Sequence, residues 1–246
     1  MTARWTTHGR GDPVTLVVHG LGATEGEARL PASGLPGTRV VLTLPGHGSA
    51  PDAPEGYWNY GAIAADVLEV AREVGATRAI GTSLGAGALT RIAAEHPRLF
   101  DRIALLLPAA LDSQREAAAT RTYERLAAAV AADDGGERLR ELLAEDIPAG
   151  VDVGDYLERR AEALLRLEPA LRDLPGEVPV PDASRLAEVT ADVLVIGATN
   201  DPLHPAEVAE ATAKALPRSR LELLPSRAPV LTHRKELRAL LTDLLG

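Results

Sequence analysis

Two hydrophobic rhythms alternate along the chain. Between residues 14 and 107, short apolar runs rich in β-branched residues (14–18, 39–43, 78–80 and 103–107) are separated by Gly/Pro turns and by a helical stretch at 60–74. Unbroken apolar runs of this length, alternating with helices, predict βαβ units around a parallel sheet buried on both faces. Past Pro108 the β-branched residues thin out. Ala/Leu/Arg/Glu-rich stretches at 113–132, 137–145 and 155–174 read as helices, the third opening on the capping-box pattern Asp155-Tyr156-Leu157-Glu158. A Pro-rich stretch, 175–181, leads back to a strand at 193–196, followed by a helix at 205–216, a strand at 220–224 and a last helix from about 232 to 245.

The pattern therefore places a helical block of about 80 residues inside an otherwise continuous α/β chain. Because it falls between two sheet strands, residues 109–189 are expected to form a lid inserted over one edge of the sheet. Residues 1–108 and 190–246 are expected to form the core. No internal repeat or low-complexity segment accompanies this division.

Composition narrows the chemistry. A chain of 246 residues buries enough surface to fold without a staple. With no cysteine there is no disulfide, thiolate metal site or thiol nucleophile. A formal charge of −9 disfavours nucleic acid and anionic membrane, which both need a concentrated basic face. The longest apolar run, 103–111 with a proline inside it, is far below the roughly 18 residues that a membrane span requires. The first residues lack the apolar core of a signal peptide, so a soluble, cytoplasmic protein is expected.

The most specific motif is Gly81-Thr82-Ser83-Leu84-Gly85, which follows a predicted strand and opens a helix. A strand-to-helix turn this tight strains the serine backbone, and the flanking glycines are needed because side chains there would collide. A Gly-rich helix start that merely packs on the sheet is the plainer reading, and the context weighs against it. His19-Gly20-Leu21-Gly22 follows the first strong strand, Leu44-Pro45-Gly46-His47-Gly48 the next, and Gly197-Ala198-Thr199-Asn200-Asp201-Pro202 the strand at 193–196.

In these four motifs, taken in this order, the chain resembles the α/β-hydrolase superfamily from about residue 14 to its end. The resemblance implies an α/β-hydrolase fold: a mostly parallel central sheet flanked by helices, with an inserted helical lid. It also implies Ser83 as nucleophile, the backbone N–H groups of Leu21 and Leu84 as an oxyanion hole, and Asp201 as the acid that orients a base. A serine in the elbow fits acyl chemistry rather than the carboxylate nucleophile of epoxide-hydrolase and haloalkane-dehalogenase branches.

One position departs from the family pattern. The family's base is a histidine after the last strand, and in Pro225-Ser226-Arg227-Ala228-Pro229 the corresponding place is held by Arg227. Arginine stays protonated near neutral pH and cannot take a proton from Ser83. Six histidines are available as substitutes. His8 and His96 are expected to cap or face solvent, and His19 and His47 to serve the loops that carry them. His233, six residues past Arg227 at a helix start, has a plain reading as a surface residue, yet ranks first among candidate bases. His204, three residues past Asp201, ranks second.

Weaker signals add little. Tyr57-Trp58-Asn59-Tyr60 is read either as a wall of an apolar pocket or as the anchor of the next helix. Tyr123 and Tyr156 are equally open. No ligand spacing for a metal is present, and Gly20-Leu21-Gly22 lacks the rest of a dinucleotide fingerprint, so no cofactor is implied. The sequence leads first to a hydrolase acting on a carboxylic ester, lactone or thioester of a small apolar substrate. The alternative, raised by Arg227, is a protein that keeps the fold without hydrolysis: a biosynthetic cyclase or lyase, or a ligand-binding module using the cation to hold a carboxylate or enolate.

Overall fold

The computed structural model describes residues 4–115, 117–147 and 151–246. In chain order its elements begin with strands β1 (Arg4–Gly9) and β2 (Val14–Val18), helix α1 (Glu25–Arg29) and strand β3 (Thr38–Thr43). There follow helix α2 (Tyr60–Glu73), strand β4 (Arg78–Thr82), helix α3 (Leu84–Glu95) and strand β5 (Arg102–Leu106). Four helices come next, α4 (Ala117–Val130), α5 (Glu137–Ala144), α6 (Tyr156–Leu165) and α7 (Glu168–Asp173). The chain ends with β6 (Asp192–Ala198), α8 (Ala206–Ala215), β7 (Ser219–Leu224), α9 (Pro229–Thr232) and α10 (Arg234–Leu245).

The strands form one sheet in the order β1-β3-β2-β4-β5-β6-β7, parallel throughout except for β1, which runs antiparallel to β3. Alternation along each strand divides the core into two layers. Leu16, Val18, Leu42, Ala79, Leu105 and Val195 join α2, α3 and α8 on one face. Val17, Val41, Ile80, Leu106, Leu194 and Ile196 meet α1 and α10 on the other. Neighbouring residues of one strand thus face opposite layers, and both are buried. Each fully buried Leu, Ile or Val contributes about 1.5–3 kcal/mol relative to exposure. The central strands are held from both sides in this way.

The strand β1 was not legible in the sequence because its residues are mostly exposed and lack an apolar rhythm. The helix expected over 155–174 is two. Leu167 leaves helical geometry at φ −113°, and Pro169 stands in the first turn of α7, where its missing N–H costs nothing. The predicted capping box at Asp155 does not form; the Asp155 carboxylate instead pairs with Arg159 at 2.7 Å. The helix expected over 113–132 is described from Ala117 to Val130, and residue 116, with 148–150 of the inserted segment, lies outside the described residues. No helix among the described residues is long and apolar enough to cross a membrane.

Candidate active site

The elbow is built as its glycines require. Ser83 joins β4 to α3 at φ 51°, ψ −107°, a conformation that costs a non-glycine residue about 1–3 kcal/mol. It is held by hydrogen bonds from its own N–H to the Leu106 carbonyl (2.8 Å) and from the Gly87 N–H to its carbonyl (3.0 Å). A Cβ on Gly81 would lie 2.5 Å from the Gly85 carbonyl oxygen, and one on Gly85 would strike the Val18 carbonyl. Neither position accepts a side chain.

Ser83 Oγ lies 2.9 Å from Nε2 of His204, and Nδ1 of the same ring lies 2.6 Å from an Asp201 carboxylate oxygen. A carboxylate only accepts, so Nδ1 carries the proton and Nε2 is left as the acceptor for the serine hydroxyl. The Asp201 side chain is fixed further by N–H groups of Leu203 (2.9 Å) and His204 (3.3 Å). Burial is the largest single influence on Asp201 and pushes its pKa up. The His204 ring and the two backbone N–H bonds outweigh it together and hold the carboxyl below its usual range.

This places the histidines differently from the sequence expectation. It is His204, on the turn after β6, whose ring reaches Ser83. His233 stands between α9 and α10 with its Nδ1 2.8 Å from Thr232 Oγ1, and is not among the residues around the site cavity. The physical reason is local. Pro229 starts a short helix that leads the chain past the site before His233 is reached, whereas Asp201-Pro202-Leu203-His204 is one tight turn that brings acid and imidazole to the same place. The Asp-x-x-His spacing was the readable signal for this arrangement.

Arg227 does not point at Asp201. Its guanidinium pairs with Asp146 at 2.9 Å, and both side chains are about half exposed. Burial raises the Asp146 carboxyl pKa, with Arg227 opposing.

The turn 20–22 stands against Ser83, a Cβ on Gly20 lying 3.4 Å from the Ser83 Cβ. Two buried histidines hold this turn. His19 accepts from the Leu44 N–H (3.1 Å), so its Nδ1 donates to the Gly20 carbonyl (2.8 Å). His47 accepts from the Gly22 N–H (2.9 Å), so its Nδ1 donates to the Pro45 carbonyl (3.0 Å). Their rings are 4.5 Å apart. Burial pushes both imidazoles below their ordinary pKa, and His19 lowers His47 further, in keeping with two neutral rings.

A cavity of about 230 Å³ opens over Ser83, His204 and Leu21. Its walls are largely aliphatic, including Leu126, Leu142, Leu143, Leu164, Leu203 and Val230, with Tyr123 and Tyr156 beside them. Three arginines border it and each is paired: Arg125 with Glu145 (2.9 Å), Arg160 with Glu27 (3.4 Å) and Arg227 with Asp146. Tyr57, Trp58 and Tyr60 do not line it; they are buried in the core, and Asn59 caps α2 by accepting from the Ala62 N–H.

The chain is similar in structure to an esterase from Exiguobacterium antarcticum at 20% identity, with a TM-score of 0.79 and coverage of 99% of this chain and 95% of that one. It is similar also to an enol-lactonase from Burkholderia xenovorans (18%, TM-score 0.76, 99% and 96%) and a hydrolase from Pseudomonas aeruginosa (23%, TM-score 0.75, 99% and 94%). No curated protein sequence matches it. The model of the alpha/beta hydrolase family matches residues 15–239, nearly the whole sheet and everything inserted in it, and the chain belongs to that family.

Proposed function

We propose that the protein hydrolyses a carboxylic ester, lactone or thioester of a small apolar substrate, with Ser83 as nucleophile, His204 as general base and Asp201 as its orienting acid. The observation that carries this is the continuous hydrogen-bonded chain from Ser83 Oγ through His204 to Asp201. In acylation Ser83 Oγ bonds to the acyl carbon while its proton passes to His204 Nε2. The oxyanion is met by the N–H groups of Leu21 and Leu84, the latter at the start of α3 where its helix leaves amides unpaired. Collapse breaks the bond to the leaving group, which takes the proton from His204. Water then attacks the acyl-enzyme, giving its proton to the same nitrogen and releasing the acid as Ser83 recovers its hydrogen.

Residues 109–189 act in this reading as the lid, and the aliphatic, charge-paired cavity favours a small uncharged substrate. The non-hydrolytic alternative was raised by Arg227 in the usual histidine place; the pairing of Arg227 with Asp146, and an imidazole already on Ser83, favour the hydrolytic reading over it. Treatment with a fluorophosphonate tests the proposal. Stoichiometric mass gain on Ser83, lost in Ser83→Ala and strongly slowed in His204→Ala, is the expected result. No labelling of the folded wild type overturns it.

A further inference from the structure

The turn that carries Leu21 is clamped from the core by His19 and His47, but its outer side is held by the inserted helices. Arg160 of α6 directs Nη1 at the Gly22 carbonyl (3.3 Å) and Nη2 at the Leu21 carbonyl (3.5 Å), while Nη1 also meets Glu27 Oε1 at 3.4 Å. These contacts are long, yet they bring one cation to two carbonyls of the same turn. The Arg160 side chain keeps only 23% of its exposure and Glu27 only 18%, so water screens the interaction weakly. Glu27 is itself fixed, closing the capping box of α1 with the Thr24 N–H at 2.8 Å.

A second contact lies one helical turn away. Leu164, on the same face of α6 as Arg160, sits so close to Gly22 that a Cβ there would lie 2.6 Å from its Cδ2. Gly22 has φ +68°, so backbone conformation and space both require glycine at this point. The segment continues onto the neighbouring loop. Leu167 covers Gly46, and Arg166 donates to the Gly48 (2.9 Å) and Ala50 (3.0 Å) carbonyls. The peptide joining Leu21 to Gly22 is consequently held at both ends, its N–H by His47 and its C=O by Arg160.

We propose that Arg160 is a positioning residue for the oxyanion hole: from the inserted helix α6 it fixes the 21–22 peptide, which follows directly on the 20–21 peptide that carries the Leu21 N–H and is held by His19 through the Gly20 carbonyl, so that the turn is braced on both sides of Leu21 only when the lid is seated. This rests on the hydrolase reading for its catalytic consequence, though not for the clamp itself. A hole assembled by the lid would couple substrate enclosure to oxyanion stabilisation, because displacing α6 would loosen one of the two donors.

The test uses Arg160→Met, which keeps the aliphatic stem, and Arg160→Lys, which keeps the charge, in the full chain. Steady-state kinetics on p-nitrophenyl butyrate and amide hydrogen exchange over residues 19–24 are measured for each. Arg160→Met is expected to lower kcat by about 10- to 100-fold, less than outright loss of an oxyanion donor, with KM changed less than about threefold. Exchange over 19–24 should speed up, and Arg160→Lys should recover part of both effects. An unchanged kcat, a loss confined to KM, or an equal loss in both variants with globally faster exchange would overturn the proposal. If the wild type has no esterase activity and no labelled Ser83, the hydrolase reading fails separately. The exchange data then decide the clamp, with local acceleration supporting it and unchanged protection overturning it.

Discussion

Two loops leave the carboxyl edge of the sheet side by side, one after β6 and one after β7, and only the first brings a carboxylate and an imidazole to Ser83. The first, in four residues, supplies both Asp201 and His204, with contacts of 2.6–3.3 Å and both side chains largely buried. The second supplies Arg227, half exposed and paired with Asp146 of the inserted segment, and His233, bonded to its own neighbour Thr232. In the proposed reading, base and acid arrive together on one turn instead of after separate strands. A tight turn that satisfies the carboxylate with backbone N–H groups can place an imidazole within reach of the same oxygen pair.

The largest expected effect comes from breaking the first loop. His204→Ala should reduce kcat on a p-nitrophenyl ester by roughly 10⁶-fold, to the floor of about 10³–10⁴-fold over the uncatalysed reaction that the oxyanion hole and binding alone provide. Ser83→Ala should fall to the same floor, and the double variant should be no worse than either single one. Asp201→Asn is expected to cost about 10³–10⁴-fold, because an amide can donate to Nδ1 and favour the tautomer whose Nε2 cannot accept from Ser83. An Asp201→Asn enzyme that retains a third of the activity would break the comparison.

The two carboxylates partnered by these loops should also respond oppositely to pH. Asp201 titrates lower in the folded chain than in the unfolded one, so between its folded pKa and about 3.9 the unfolded state holds more protons. Its contribution to stability is present above that window and is lost as pH falls through it. Asp146 titrates higher when folded, so its contribution is most favourable at low pH and declines as pH rises past about 3.9. In urea unfolding between pH 3 and 7, Asp201→Asn should flatten the gain of stability with pH. Asp146→Asn should steepen it. The smallest effects belong to the second loop. Arg227→Ala should change stability by no more than about 1 kcal/mol, as an exposed ion pair does, and Arg227→Ala and His233→Ala should each leave kcat within about threefold. A loss of 100-fold in His233→Ala, read in the same kinetic assay, would return the base to the second loop.

Much of this was legible along the chain. The elbow at Gly81–Gly85 declares itself because a side chain at either glycine would strike neighbouring backbone, and β2 to β5 because strands buried on both faces must be apolar throughout. The exposed edge strand β1 left no such trace, and the break between α6 and α7 was hidden in a run of good helix formers. Among site residues, Ser83 and Asp201 follow from local motif, whereas the choice between His204 and His233 does not.

Strands β2 to β7 and the strained serine turn could be read along the chain, since they depend on the run of apolar residues and on local sterics. Only the tertiary structure decided which histidine meets Ser83, that Arg227 turns to Asp146 instead of Asp201, and that Arg160, 138 residues from Gly22, closes on its carbonyl. The Asp-x-x-His spacing brings acid and imidazole onto one turn, but whether that turn faces Ser83, and which distant partner Arg227 and Arg160 meet, depends on how elements far apart in the chain are packed.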